Sequence, residues 1–247
     1  MAWGGRPLVL GHRGARREAP ENTLPAFRRA LEVGADGVEL DARLSADGQV
    51  IVFHDDRLER TTDGRGAVAR ASWDELRHLD AGSHFSPAFA GTRICTLAEA
   101  LEVLRPARLV NVELKGPPED TGLERRVLEV VRQAGLGERV VFSSFAPEHL
   151  RRLRALDGGA ALAWLYNWLW QTEQAFALAG EVGLWGLHPA GRAVRAGLIR
   201  RAHQLGLRVV PWTVNAEAAV LRMARWGIDG LITDRPGDVR RWIERIG

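Results

Sequence analysis

Along the chain, short β-rich apolar runs alternate with longer stretches whose apolar residues recur at three- and four-residue spacing. The short runs fall at residues 8–11, 37–42, 109–114, 140–145, 160–165, 184–187, 208–213 and 230–233. The amphipathic stretches include 24–33, 97–104, 123–134, 148–156, 193–205, 216–226 and 237–246, the period of helices with one buried face. Regular alternation of the two implies parallel strands joined by helical crossovers. Eight such strands with following helices predict an α/β fold, the closed (βα)8 TIM barrel, whose active sites occupy the C-terminal ends of the strands. An open doubly wound sheet is the alternative, but no Gly-x-Gly-x-x-Gly or Walker-type loop opens a helix here.

One apolar run breaks the alternation. Residues 50–53 follow the second strand after the link 44–49, which is too short for a helical crossover and suits a β-hairpin around Asp47-Gly48. The run is expected to return antiparallel and to bring His54 roughly opposite Asp41. Residues 55–94 then form an insertion between strand 2 and helix 2, rich in turn residues and expected to make a small cap over one mouth of the barrel. The whole chain, 1–247, reads as a single domain containing that insertion.

Composition narrows the class without deciding it. Of the 247 residues, 46% are hydrophobic and 26% charged, which excludes disorder and fibrous repeats. Thirty-four basic residues against 31 acidic ones leave only +3, with no concentrated basic patch, so nucleic acid is not an implied partner. No apolar run approaches the ~20 residues of a membrane-spanning helix, so integral membrane association is not expected. Residues 1–7 lack the pattern of an export signal, which leads to an expected cytoplasmic location. Cys95 is alone and reads as a small core residue. A monomer or homodimer is expected.

The polar residues at the strand ends converge in a way that core packing does not require. His12 and Arg13 end the first strand. Glu39 and Asp41 lie two apart in the second, as do Glu113 and Lys115 around the end of the third, and period-two spacing turns each pair to one face. If that face is the barrel interior, three carboxylates gather beside two histidines and two cations, a density of like charge that calls for a bound cation. An all-oxygen site without cysteine suits one divalent Mg²⁺, Ca²⁺ or Mn²⁺ better than zinc. The plainer alternative is a structural ion-pair network of the same carboxylates with Arg13 and Lys115. Lys115 is the only lysine in an arginine-rich chain, and a compact ammonium at a crowded phosphate or metal site is not replaceable by a planar guanidinium.

The motifs Gly11-His12-Arg13-Gly14, Pro20-Glu21-Asn22-Thr23-Leu24, Gly37-Val38-Glu39-Leu40-Asp41 and Phe53-His54-Asp55 occur in order. They are followed by Asn111-Val112-Glu113-Leu114-Lys115, Ser143-Ser144-Phe145, Trp212-Thr213-Val214-Asn215 and Thr233-Asp234-Arg235-Pro236. In this ordered set the chain resembles the glycerophosphodiester phosphodiesterase family. The resemblance implies a divalent ion held by Glu39, Asp41 and Glu113, His12 and His54 as general acid and base, and Arg13 and Lys115 facing the phosphate of a small glycerophosphodiester. Phosphodiester cleavage needs those functions: a proton removed from the attacking oxygen, one delivered to the leaving alkoxide, and neutralised phosphoryl oxygens.

Other positions stay open. Phe145 and Trp212 suit an apolar wall against a glycerol backbone or upper-layer barrel packing, and His188 suits substrate contact or loop capping. Asn22 suits either the first helix's N-terminus or an active-site loop. His149 and His203 read as surface or helix-packing residues. The aromatic run from Trp164 to Trp170 fits an acyl chain, a partner subunit or the next helix. Two other functions use the same site: a lysophospholipase D acting on lysophospholipids, and a phosphate-ligand binding module without turnover.

Overall fold

The computed structural model describes residues 5–117, 119 and 121–245. Its strands are β1 (Leu8–His12), β2 (Gly37–Leu44), β3 (Val50–Val52), β4 (Leu109–Leu114), β5 (Val140–Ser144), β6 (Ala161–Tyr166), β7 (Gly186–Pro189), β8 (Arg208–Val209) and β9 (Gly230–Thr233). All but β3 pair in parallel, in the order β8-β7-β6-β5-β4-β2-β1-β9. Backbone bonds from Asp229 N to Val209 O (3.2 Å), Ile232 N to Pro211 O (2.9 Å) and Val214 N to Ile232 O (2.9 Å) bring the two ends of that order together. The result is the predicted barrel.

Eight α-helices follow the barrel strands: α1 (Leu24–Glu32), α3 (Leu97–Val103), α4 (Leu123–Ala134), α5 (Pro147–Leu156), α6 (Thr172–Val182), α7 (Ala196–Gln204), α8 (Glu217–Arg225) and α9 (Pro236–Glu244). A short helix, α2 (Trp73–Leu76), lies in the insertion. Thr23, not Asn22, caps α1, its side chain accepting from Ala26 N, which frees Asn22 for another contact. Helix α6 was not among the predicted stretches: its Ala-Phe-Ala-Leu-Ala-Gly core has little polar contrast around the axis. The last predicted stretch, 237–246, reaches Ile246, which lies outside the described residues.

Two predicted strands shift for local reasons. The run 184–187 becomes Gly186–Pro189 because Leu184 completes the end of α6, donating its N–H to Ala179 O (3.2 Å) after left-handed Gly183. The run 208–213 gives only Arg208–Val209 as a continuous strand, since Pro211 offers no N–H. Val210 and Trp212 still follow β7 through bonds to Leu187 O and Pro189 O, each 3.0 Å.

Alternation along the strands divides the apolar residues into two layers. Leu8, Leu10, Leu109, Val141, Ala163, Val210 and Ile232 pack together inside the barrel. Their strand neighbours Val9, Val38, Leu40, Val110 and Val112 join helix residues such as Phe27, Leu101 and Val127 in the outer core, each large side chain contributing ~1.5–3 kcal/mol of burial. His149 belongs to this outer layer: it is 1% exposed and meets Glu124 Oε1 at 2.6 Å, tying α5 to α4. The insertion gathers Leu58, Val68, Leu76, Ala81 and Ile94 around Ile51 and Phe53 of the hairpin. No helix among the described residues is long and apolar enough to cross a membrane.

The hairpin forms with β3 antiparallel to β2 and Ala42 opposite Val52. That register places Phe53, whose N–H donates to Asp41 O (2.9 Å), opposite Asp41. His54 therefore lies one residue beyond its expected partner. In the sheet, His12 pairs with Glu39 and Asp41 with Glu113, so inward polar residues from three adjacent strands stand side by side.

Gly37 makes this close pairing possible. A Cβ there would fall 1.7 Å from Leu109 O and 3.1 Å from Leu10 Cδ2, a clash with backbone that no side-chain rotation relieves. Gly37→Ala is expected to lower stability by about 3 kcal/mol in chemical denaturation; a loss under about 1 kcal/mol would contradict the packing described.

Candidate active site

The two-residue period that turns Leu10, Leu109 and Ile232 inward also delivers His12 and Asp234, two positions on, and Glu113, four positions on, to the C-terminal mouth. Glu39, Asp41 and Glu113 offer carboxylate oxygens that all lie within 4.8 Å of one another. They are 3%, 0% and 7% exposed. Burial, reinforced by repulsion from Asp41, pushes the Glu113 carboxyl up to about 7. The same causes, with Glu113 added, push Glu39 well above the usual carboxylate range. Asp41 goes the other way: burial opposes its ionisation, but attraction from Lys115, Arg13 and His54 outweighs it and holds the carboxyl low.

Lys115 Nζ stands 2.5 Å from Glu113 Oε1 and 3.4 Å from Asp41 Oδ1. Even so, both oxygens lack a well-directed hydrogen bond, as does the neighbouring Asn111 Oδ1. Buried carboxylate oxygens left in that state, close together and with no sulfur ligand among the three, fit a hard divalent cation. Glu39 Oε2 accepts from Arg13 N (3.0 Å), a bond that requires Arg13 to adopt φ 54°. Asn22, also left-handed at φ 57°, donates Nδ2 to Asp41 Oδ2 (2.7 Å). Two strained residues in one loop thus serve the carboxylates rather than the helix that follows.

The histidines stand at the edges of the cluster. His12 Nδ1 meets Asp234 Oδ1 at 2.7 Å while Nε2 lies 3.9 Å from Glu39 Oε2. His54 Nδ1 meets Asp55 Oδ1 at 2.5 Å. Beside an ionised aspartate, Nδ1 carries the proton and Nε2 is the titrating nitrogen. Burial lowers both imidazoles below their ordinary value, with the attraction of Asp41 opposing it in each case. Asp55 is brought down to about 2, hydrogen bonds from Arg60 and His54 overcoming its burial.

Several supporting residues had no role assigned from the sequence. Arg60 joins Asp55 to Glu21, donating to Glu21 Oε1 at 2.6 Å, and Glu21 in turn accepts from Arg13 Nη1 at 2.7 Å. Glu21 is held at about 2, since the two arginines outweigh its burial. Arg43 grips the carbonyl of His54 through Nε (3.0 Å) and Nη2 (2.7 Å) and meets Asp56 with Nη1 (2.7 Å). Asn215 donates to Asp234 Oδ2 (2.7 Å). Asp55 and Asp234 lie inside motifs quoted above, so their placement was readable, but their pairing with the histidines was not.

Comparison with known proteins places the chain in a family. The model of the glycerophosphoryl diester phosphodiesterase family matches residues 12–238. The chain belongs to this family. A glycerophosphodiester phosphodiesterase of Caldanaerobacter subterraneus subsp. tengcongensis is 37% identical over 244 residues, 98% of this chain and 100% of that protein. Among solved structures, an Oleispira antarctica phosphodiesterase in complex with sn-glycerol-3-phosphate is similar with a TM-score of 0.87 and 32% identity, over 97% of both chains. A glycerophosphodiester phosphodiesterase of Agrobacterium tumefaciens is similar with a TM-score of 0.83 and 31% identity, covering 94% of this chain and 97% of that one. Family membership makes the chain an enzyme, a phosphoric diester hydrolase.

On the far side of the site in this phosphodiesterase, Phe145 packs edge-on against Trp212 with ring centres 5.3 Å apart, and Lys115 Nζ lies 5.7 Å from the Phe145 ring. Both aromatics therefore line the mouth. His188, expected at the same wall, sits deeper: it is 1% exposed, neither ring nitrogen has a partner among the described residues, and burial holds it neutral with a pKa of about 3. Cys95 is buried, which raises its thiol far above the ordinary range, as a core residue requires.

Lys115 offsets charge that the carboxylates acquire as they ionise. Glu113 has a folded value of about 7 against an ordinary 4.5, so its destabilisation is absent below about pH 4.5 and grows as pH rises towards 7. In the presence of chelator, Lys115→Met is expected to lower the melting temperature more at pH 8 than at pH 5. Equal losses at the two pH values would contradict the lysine's role in offsetting the ionisation of Glu113.

Proposed function

We propose that the chain hydrolyses glycerophosphodiesters to glycerol 3-phosphate and an alcohol, with one divalent cation held by Glu39, Asp41 and Glu113. The observation carrying this reading is the buried triad of mutually close carboxylates, with Lys115 the one cation among the described residues beside Asp41 Oδ1 and Glu113 Oε1, flanked by two histidines that each bond an aspartate through Nδ1. A hard cation of the Mg²⁺, Ca²⁺ or Mn²⁺ class, when bound there, supplies positive charge to neutralise the phosphoryl oxygens. The Oleispira antarctica relative's complex with sn-glycerol-3-phosphate supports the assignment of that compound as product.

His12 and His54 divide the proton transfers. Nε2 of one takes the proton of the attacking oxygen as its bond to phosphorus forms. Nε2 of the other gives a proton to the alcohol oxygen as its bond to phosphorus breaks. Asp234 and Asp55 keep each ring oriented and stabilise the imidazolium when it forms. Arg13 and Lys115 face the phosphate, where fixed cations stabilise charge growing on its oxygens. Arg60 and Arg43 act on His54 at one remove, through Asp55 and the His54 carbonyl. Phe145 and Trp212 form the apolar wall against the glycerol carbons.

Release of choline from glycerophosphocholine tests the proposal. His12→Ala and His54→Ala are each expected to lower kcat by about 10²–10⁴-fold with the melting temperature retained, and chelation is expected to abolish turnover until Mg²⁺, Ca²⁺ or Mn²⁺ is restored. Full activity in either alanine variant would count against the acid–base roles, and full activity in chelator against the cation.

A further inference from the structure

The segments that follow the strands ring the mouth of the barrel, and they divide into two sectors. Those after β9, β1, β2 and β4 carry the ionic groups of the site. Those after β5, β6, β7 and β8, at residues 145–146, 167–171, 190–195 and 210–216, contain only two charged residues, Arg192 and Arg195, and no acid. The same sector exposes Phe145 (37%), Trp168 (51%), Leu169 (46%) and Trp170 (67%), four of the seven large apolar side chains most open to solvent among the described residues.

The surface is built and continuous with the site. Gln171 Oε1 accepts from both Asn167 N and Trp168 N, each at 3.0 Å, folding 167–171 into a tight turn that holds its side chains outward. The Arg192 guanidinium stacks 4.3 Å from the Trp168 ring centre. Gly191, next to Arg192, donates to Trp212 O (2.6 Å), and Trp212 packs on Phe145 at the edge of the phosphate site. Side-chain contacts, joined through the Gly191 backbone, therefore link Lys115 to Trp168.

We propose that this sector docks on an anionic lipid surface, with Trp168, Leu169 and Trp170 entering the headgroup layer and Arg192 and Arg195 meeting its anionic groups. Indole rings favour the boundary between water and lipid, where the apolar body is buried and the N–H stays wet. Basic residues as the sole charges of the sector complement an anionic leaflet. They disfavour the other occupant of an apolar face, a second copy of the chain, because a two-fold contact turns the same patch on itself and its loops hold no acid to pair with these arginines. The inference rests on the phosphodiesterase reading for its purpose, which is to bring the mouth to phosphodiesters held at or shed from a membrane; the docking itself is read without turnover.

Sedimentation with phosphatidylglycerol-rich vesicles, compared with phosphatidylcholine vesicles, tests the proposal. The intact chain is expected to sediment with the anionic vesicles only, and less so as salt rises. Arg192→Ala with Arg195→Ala is expected to cut the partition roughly thirtyfold. Joint replacement of Trp168, Leu169 and Trp170 by alanine is expected to abolish it, with glycerophosphocholine turnover in solution within about twofold of the parent in both variants. Failure of the parent to bind anionic vesicles, or undiminished binding by the triple variant, would overturn the proposal. So would a solution dimer that the triple variant dissolves in place of vesicle binding, or loss of glycerophosphocholine turnover in that variant. A parent chain that binds vesicles but releases no choline would uphold the docking and contradict the proposed function alone.

Discussion

Three acidic side chains packed into one pocket of a closed barrel set the terms for everything around them. The crowding comes from strand pairing: Asp41 sits directly beside Glu113 in the β2–β4 ladder, and Glu39 is on the same face one step earlier. No choice of rotamer separates groups whose backbones are in register, so the charge must be met by protons, fixed cations or a bound ion. Lys115 and Arg13 meet part of it, keeping Asp41 ionised while Glu39 and Glu113 are driven towards their neutral forms. Three buried carboxylates within 4.8 Å of one another still outnumber these two cations, which is why the pocket suits a divalent cation rather than a self-contained ion-pair network.

The hairpin solves a problem of delivery. A strand returning antiparallel from β2 carries His54 back to the edge of the mouth that β2 has just supplied with Glu39 and Asp41. The insertion then fastens this arm to the loop after β1, because Arg60 spans Asp55 and Glu21 while Glu21 holds Arg13. His12 is fixed separately from the last strand, through Asp234 and Asn215. Two imidazoles reach the same cluster by independent routes, each oriented by its own carboxylate.

Much of this was legible in the sequence because it depends on short-range periodicity. The two-residue spacing of Glu39 and Asp41, and the short link at Asp47-Gly48, define a shared face and a reversal before any tertiary contact is known. The solitary Lys115 marked the same region, and Asn22 proves to bond Asp41. What escaped was set by partners distant in the chain or by backbone conformation. His12 and Asp234 are 222 positions apart, and nothing local announces their contact. The left-handed turns at Arg13 and Asn22 are unusual for residues with a side chain, and the sequence alone left Asn22 open between helix cap and active-site loop; Thr23 takes the cap. Helix α6 was hidden by apolar residues with little polar contrast around the axis, and β7 runs two residues past its apolar run to take in His188.

The pocket's need for a cation is the central claim, and counting bound ions tests it directly. Equilibrium dialysis of the chain against Mg²⁺, Ca²⁺ and Mn²⁺, beside Glu39→Gln, Asp41→Asn and Glu113→Gln variants, should find one ion of at least one type bound per parent chain and none per variant. A parent chain that binds none of them, or variants that bind as the parent does, would contradict the account.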